Sequence, residues 1–271
     1  MVVLMDKKIY LDKVLEFLVK DKNIDIPDSL KDKVKLWEEL VAKLDVDDIP
    51  DEVLLNEDKY LRLELLNKRL TDGEKVKTIS DTLNSNLKYS TKISLWKGDI
   101  TTIYADVLVN STTSDMIGCR EGIKGTVDNA IFTRSGMRLR MKCRDIMKGE
   151  ILNNSEILVT RAYNLPSDYI IHVVVPVVSD AIGEQEKIEL KMCYLNVLEC
   201  ARNNMAKTIV FPCLGTGTNK FPKKEAALIA INAVNEFLDK HNDEIEKIIF
   251  DVLDDESYSI YSDLLIGENN A

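Results

Sequence analysis

The segment VNSTTSDMIGCREGIKGTVDN, residues 109–129, contains the strand–loop–helix sequence that is most informative about the fold. A hydrophobic strand runs out into Asn110, a polar loop with several glycines follows, and residues 127–129 open a helix. A strand, a glycine-rich loop and a helix start commonly form a nucleotide or phosphate site. Asp128 is compatible with a helix cap or a general base. Cys119 is compatible with a metal ligand, a nucleophile or a residue without a chemical role.

A second loop with glycines, CLGTGTNKFP at residues 213–222, follows the strand TIVFP. Gly215 and Gly217 let backbone N–H groups approach an anion, and a helix predicted to start near Lys223 adds its positive end. A plain strand-to-helix turn explains these glycines equally well. The loop matches neither G-x-x-x-x-G-K-[ST] nor G-x-G-x-x-G, so neither a P-loop NTPase nor an ordinary Rossmann dehydrogenase is indicated.

A third loop, Gly98, Asp99 and Ile100, follows the strand ISLWK. Asp99 is compatible with a turn cap or with an acceptor for the exocyclic amine of a base. Ligands of open α/β sheets bind beyond the carboxyl ends of the strands, where all three loops are expected. We therefore expect one site formed by the three loops.

The pattern of apolar residues divides the chain into two parts. Up to about Ser90 they recur at helical spacing, which predicts a helical N-terminal extension over residues 1–90. Over residues 91–271, the strand-like runs are KISLW, DVLVN, EILVTRAY, YIIHVVV, KTIVFP and EKIIFDVL. Helical stretches separate several of these runs, which predicts an α/β sheet with helices on both faces.

The composition restricts the class of protein. The 271 residues are 45% hydrophobic and 30% charged, with a formal net charge of −10, which argues against nucleic-acid or anionic-membrane partners. The five cysteines form no C-x-x-C pair, as is typical of a reducing cytosol. Asp6, Lys7 and Lys8 interrupt the first apolar run before it reaches the length of a signal peptide or membrane span. We expect a soluble cytoplasmic protein.

A catalytic zinc needs about three protein ligands, so the histidines matter. His172 lies in an apolar strand and is predicted to be a core histidine, whereas His241 is predicted near the C-terminal end of a helix. Neither lies near Cys119 in sequence. A reactive thiol at Cys119, with a pKa lowered by a helix N-terminus and Lys124, is a third reading of this cysteine.

The ordered motifs resemble those of a macrodomain, and more closely those of its zinc-dependent branch. They are LWKGDIT, VLVNSTTSDMIGC, VDNAIFTRSGMRLR, YNLPSDYIIHVVVP, FPCLGTGTNKFPKKEAALIAINAV and IIFDVLDDESYSIY. Members of that branch hydrolyse ADP-ribose from proteins and carry a helical N-terminal extension. The resemblance implies a three-layer α/β/α fold with a mixed central sheet, preceded by that extension.

The resemblance also implies roles for individual residues. Asp99 and the amide of Ile100 would face adenine beside Gly98, and Leu253 would pack on the base in place of the family's usual aromatic residue. Asp128 would assist the attack of water on the anomeric carbon, and Phe221 would lie against the distal ribose. The diphosphate would be wrapped by Gly215, Thr216, Gly217, Thr218 and Asn219. The first loop would add contacts from Asn110, Cys119, Lys124 and Val127.

Four positions depart from the family pattern. Thr113 replaces the second Asn of V-N-A-A-N, and Phe132 replaces the His of D-N-x-I-H. Lys124 and Thr126 stand where the zinc-dependent branch has a His and a Cys, which leaves Cys119 as the one remaining ligand of three. We therefore expect no tightly bound zinc and no other cofactor. Lys124 offers a cation to the ribose hydroxyls or a phosphate, or is a solvated loop lysine.

Two functions follow from this comparison. The replaced residues favour a module that binds ADP-ribose, free or attached to protein, with metal-independent hydrolysis possible but impaired or altered in specificity. We expect a monomer. Retention of Asp128 favours the alternative, an active protein-ADP-ribose hydrolase in which Asp128 activates water without a metal.

Overall fold

The N-terminal extension is helical, as predicted. The computed structural model describes residues 2–44, 48–118 and 125–266, so Cys119 and Lys124 lie outside the described residues. The extension contains α1 (Val2–Val19), α2 (Leu30–Ala42) and α3 (Asp51–Leu66). Ser29 begins α2 by accepting a hydrogen bond from the amide of Asp32. In the described part of the chain, no helix is both long and apolar enough to cross a membrane.

The extension has a hydrophobic core of its own. Leu11, Val14 and Leu15 of α1 are fully buried against residues of α2 and α3. At its centre, the rings of Trp37 and Tyr60 meet edge to face with their centroids 5.2 Å apart. This core explains the helical spacing of apolar residues in the sequence.

The rest of the described chain forms an α/β unit. Its elements are β1 (Thr71–Asp72), α4 (Ile79–Leu83), β2 (Ile93–Lys97), β3 (Ile103–Tyr104), β4 (Val107–Thr112), α5 (Val127–Ser135), α6 (Met137–Met147), β5 (Ile157–Arg161), β6 (Tyr169–Val174), α7 (Glu184–Asn203), β7 (Thr208–Pro212), α8 (Lys223–His241), β8 (Lys247–Val252) and α9 (Asp255–Ile266). The main sheet has the order β2-β8-β7-β4-β6-β5. Neighbouring strands are parallel except β5, which runs antiparallel to β6. The six predicted strands and the mixed sheet are confirmed.

Both faces of the sheet are covered by helices. Ile209 and Phe211 of β7 pack in a core shared with α7, α8 and α9, whereas Val210 between them packs with α5 and α6 on the opposite face. Alternate residues of a strand point to opposite faces, so one short strand contributes to both cores. The predicted three-layer α/β/α arrangement is therefore confirmed.

A small parallel ladder joins residues 71–72 to the α/β unit. Thr71 pairs with Ile103 and Asp72 with Tyr104, which the sequence did not predict. Farther along, Ile79 of α4 is fully buried in the main core. Residues 71–83 thus pack against the sheet, while the division into residues 1–90 and 91–271 stays a prediction.

The extension contacts the turn between α5 and α6. Gly136 in that turn has a φ of 92°, and a Cβ on it would lie 2.9 Å from a carboxyl oxygen of Glu57. The buried Glu57 carboxyl accepts hydrogen bonds from the Met137 amide at 2.6 Å and from Trp37 Nε1 at 3.2 Å. Glycine at position 136 therefore lets α3 of the extension approach the start of α6.

Candidate functional site

The first loop of the candidate site is the turn after β2. Asp99 begins a short 3-10 helix, Ile100–Thr102, and its Oδ1 accepts from the amide of Thr101 at 3.0 Å and from its hydroxyl at 2.6 Å. Oδ2 accepts from Lys68 Nζ at 2.9 Å. Burial alone would raise the pKa of Asp99, but the hydrogen bonds from Thr101 and Lys68 outweigh burial and lower it. Asp99 is therefore an anionic turn cap with a partner in the extension.

A second carboxyl group lies behind this turn. Asp251 is a buried residue of β8, and its carboxyl accepts a hydrogen bond from the amide of Gly98. Burial raises its pKa to about 8, and the negative charge of Asp99 contributes to the rise. Asp251 is therefore predominantly protonated at neutral pH. Its Oδ1 has no hydrogen-bond partner among the described residues. The sequence reading missed this residue, although an aspartate inside the apolar run IIFDVL is a signal of an unusual environment.

The centre of the site is a contact between β4 and α5. Asn110 near the end of β4 is fully buried, and its Nδ2 donates to Asp128 Oδ1 at 2.9 Å. Asp128, in the first turn of α5, is only 7% exposed. The N-cap of α5 is Thr126, whose hydroxyl accepts from the amide of Asn129 at 3.2 Å. Thr126, and not Asp128, is therefore the N-cap residue of α5.

His172 is a core histidine, as predicted. It lies on β6 with no exposed surface, and burial lowers its pKa to about 3, so the ring is neutral. Its Nδ1 lies 3.1 Å from Asn110 Nδ2, and its Nε2 lies 3.0 Å from the Thr160 hydroxyl. Sequence spacing placed His172 away from Cys119, but the sheet register places it beside Asn110.

The loop between β7 and α8 has the features of an anion site. The amides of Gly217, Thr218 and Asn219 donate to no other described residue. A Cβ on Gly217 would meet nothing within 4 Å, so the backbone there is open to close approach. Helix α8 begins at Lys223, as predicted, and directs its positive end toward this region. Consecutive free amides before a helix start are suited to binding phosphate oxygens.

The same loop is held by packing around Phe221. Gly215 has a φ of 84°, and a Cβ on it would lie 2.8 Å from the Phe221 ring. The Phe221 amide donates to the Gly215 carbonyl at 3.0 Å. Asn219 Nδ2 donates to the Val175 carbonyl at 2.7 Å, which anchors the loop to the chain after β6. Thr216 closes the turn with a hydroxyl bond to the Cys213 carbonyl at 3.0 Å.

Leu253 and Thr113, two positions where the sequence departs from the family pattern, differ in whether their side chains are available to a ligand. Leu253 directly follows β8 and is 68% exposed, so its side chain is available to a ligand. Thr113 follows β4, and its hydroxyl donates to Asp115 at 2.5 Å within a local turn. The hydroxyl of Thr113 is therefore engaged with its own loop.

A cavity of about 530 Å³ lies where the extension meets the α/β unit. Its lining includes Glu38 of α2, Lys43 directly after α2, Asn129 and Thr133 of α5, and Asp99. None of the lining residues belongs to the loop between β7 and α8. The cavity therefore adjoins the turn at Asp99 and is separate from the loop between β7 and α8.

The described residues provide no cluster suited to a metal. No group of three or more His, Cys, Asp or Glu side chains within them is placed to hold an ion. Thr126, where the sequence resemblance implied a zinc ligand in related proteins, is engaged as the cap of α5. Cys119 and Lys124 lie outside the described residues, so their predicted contacts stay predictions.

A mixed sheet between two helical layers, with three loops at the carboxyl edge of its parallel strands, defines the fold class of the macrodomains. The Macro domain family model matches residues 109–230. A protein-ADP-ribose hydrolase of Staphylococcus aureus (strain MSSA476) is 30% identical over 260 residues, which is 92% of this chain and 94% of the relative. This chain belongs to the macrodomain family.

Two other proteins extend the comparison. A protein-ADP-ribose hydrolase of Treponema medium is 29% identical over 266 residues, or 96% of this chain and 98% of the relative. The crystal structure of a Trypanosoma brucei macrodomain in complex with ADP-ribose superimposes with a TM-score of 0.64 at 22% identity, covering 84% of this chain and 94% of that chain. The structural comparison supports the fold, and the sequence comparisons include the N-terminal extension.

Proposed function

We propose that the protein binds ADP-ribose, free or attached to protein, across the three loops at the carboxyl edge of the sheet. The observation that carries the proposal is the run of amides at Gly217, Thr218 and Asn219 before the start of α8, which donate to no other residue that the structure describes. A diphosphate would accept these amides, and the positive end of α8 would add a favourable field.

In this proposal, the adenine and the distal ribose of ADP-ribose each meet side chains that suit them. Asp99 would accept from the adenine amino group next to the Ile100 amide, while the exposed Leu253 would cover one face of the base. The distal ribose would lie near Asn110 and Asp128, beside Phe221. This order of groups follows the loops along the edge of the sheet.

Hydrolysis of protein-ADP-ribose is the second candidate function. It is favoured by the position of Asp128, a buried carboxylate of α5 in contact with Asn110, and by the names of the relatives from Staphylococcus and Treponema. Asp128 would orient or deprotonate the water that attacks the anomeric carbon, and the amides of the β7–α8 loop would hold the departing ADP-ribose. The engagement of the Thr113 hydroxyl with Asp115 favours weaker control of the distal ribose.

The experiment that separates the two functions measures binding and release on the same samples. Calorimetry with ADP-ribose reports affinity, and release from an ADP-ribosylated protein reports turnover, each for wild type and Asp128→Ala. The exposed Asp168, at the opposite edge of the sheet just before β6, provides the control variant Asp168→Ala. Binding without release supports the binding module, release lost only in Asp128→Ala establishes the hydrolase, and absence of both refutes the proposal.

The absence of a tightly bound zinc is part of the proposal. One cysteine cannot hold a catalytic zinc against water and cellular chelators, and Thr126 is engaged as the cap of α5. We expect substoichiometric zinc after purification without chelators. Near-stoichiometric zinc that is lost in Cys119→Ala would contradict this expectation. The cytoplasmic location and the monomeric state stay predictions from the sequence.

A further inference from the structure

Four buried polar side chains form a line from α5 into the sheet. Asp128 of α5 contacts Asn110 of β4, Asn110 contacts His172 of β6, and His172 contacts Thr160 of β5. All four are at most 7% exposed, and Asn110 and His172 are fully buried. Buried polar groups are stable only when each donor faces an acceptor. The contacts along this chain of side chains therefore determine the orientation of the Asn110 amide and the protonated nitrogen of His172.

The orientation of the Asn110 amide follows from its two neighbours. Nδ2 lies 2.9 Å from Asp128 Oδ1 and 3.1 Å from His172 Nδ1. An amide nitrogen carries two hydrogens, and two neighbouring acceptors use both of them. With the amide turned over, its oxygen would face a carboxyl oxygen of Asp128 at about the same distance. The observed arrangement therefore keeps nitrogen toward Asp128 and His172.

The same contact determines the tautomer of His172. Because Asn110 donates to Nδ1, that ring nitrogen carries no proton, and the proton of the neutral ring must be on Nε2. Nε2 then donates to the hydroxyl of Thr160 at 3.0 Å. The opposite tautomer would place an N–H group against the Asn110 amide hydrogens and leave Nε2 as an acceptor.

The fixed amide leaves one acceptor unused. Asn110 Oδ1 is buried and receives no hydrogen bond from any described residue. A buried acceptor without a donor costs free energy, and a ligand hydroxyl that reaches it would remove that cost. Asn110 is adjacent to Asp128, where the proposed function places the distal ribose, and a ribose carries hydroxyl donors.

We propose that His172 is a positioning residue that holds the Asn110 amide with its oxygen offered to a hydroxyl of the distal ribose. The inference rests on the proposed function, because it assigns that hydroxyl to ADP-ribose. It differs from a purely structural role, since a core histidine that only fills space would accept either tautomer and either amide orientation.

Nitrogen-15 NMR of the histidine rings tests the arrangement without ligand. The protein contains two histidines, so the signal of His172 is assigned by comparison with His241→Gln. We expect the neutral Nε2–H form of His172 throughout the pH range in which the protein is folded. The Nδ1–H form would overturn the inference whether or not the protein binds a nucleotide.

A comparison of ADP-ribose with ADP tests the consequence for binding, because ADP lacks the distal ribose. His172→Phe keeps an aromatic ring beside Phe132, whose ring centroid is 5.6 Å from that of His172, but removes the nitrogen that accepts from Asn110. We expect ADP-ribose affinity to fall about tenfold and ADP affinity to change less than about twofold. His172→Gln, whose side-chain oxygen can accept the same bond, is expected to retain most of the affinity.

The possible results separate the inference from the proposed function. Equal loss of ADP and ADP-ribose affinity in His172→Phe indicates a structural role and overturns the inference, as does no loss of either. If His172→Phe does not fold, the tautomer of the wild type still decides the arrangement. Wild-type protein that binds neither nucleotide refutes the proposed function, whereas wild-type binding with the wrong tautomer refutes the inference alone.

Discussion

Replacing Glu57 with glutamine should change how stability depends on pH. Glu57 of α3 is fully buried between the extension and α6, where it accepts from Trp37 and from the Met137 amide. Burial raises its pKa from 4.5 to about 7, against the opposing effect of these two hydrogen bonds. The folded protein therefore binds this proton more tightly than the unfolded chain does.

The sign and size of the effect follow from this difference in proton affinity. The stabilisation by protonated Glu57 is complete below pH 4.5 and is lost as the pH rises through 7. The difference between about 7 and 4.5 corresponds to about 3 kcal/mol of unfolding free energy, at about 1.4 kcal/mol for each tenfold change in affinity. Glu57→Gln cannot lose a proton, so we expect it to lack this decline.

Urea unfolding at pH 4 to 9, followed by tryptophan fluorescence, measures the effect. Trp37 donates to Glu57 and reports directly on the extension. The quantity of interest is the difference in unfolding free energy between wild type and Glu57→Gln at each pH, because other titrating groups cancel in it. Glu52→Gln, on the exposed side of the same helix, is the control. Parallel profiles for wild type and Glu57→Gln would refute the reasoning.

Three further predictions concern the base-binding end of the site. Asp99→Asn should weaken ADP binding about tenfold in calorimetry, because a charge-assisted acceptor for the base is lost; unchanged affinity would exclude a role in base binding. Leu253→Phe should tighten ADP binding about tenfold by stacking on adenine, with no change in thermal stability. Asp251→Asn should be more stable than wild type above pH 8 in urea titrations, because the wild type loses stability between pH 3.8 and about 8, where the folded carboxyl keeps a proton that the unfolded chain has released. A wild-type advantage at pH 9 would contradict the last prediction.

The sequence predicted the features that depend on short segments. Six strands, the helix start at Lys223 and the core position of His172 each follow from local hydrophobicity and glycine placement. The layer arrangement followed from the alternation of strands and helices and from the family resemblance. These features need no information about residues distant in the chain.

The features that were missed depend on contacts between distant segments. Lys68 and Asp99 are 31 positions apart, and no local pattern marks them as partners. The ladder between residues 71–72 and 103–104 is too short to show strand periodicity. The protonated state of Asp251 depends on burial by its neighbours and on the charge of Asp99, which the sequence does not place beside it.

The contact between Lys68 and Asp99 would give the extension a thermodynamic connection to the ligand in the proposed site. Lys68 follows α3, and Asp99 begins the turn that we propose for base binding, so this hydrogen bond joins the extension directly to that turn. Any free energy that a bound nucleotide adds to or removes from this bond also acts on the docking of the extension. Because such coupling is reciprocal, a molecule that binds the extension and moves Lys68 would change nucleotide affinity by the same factor in return.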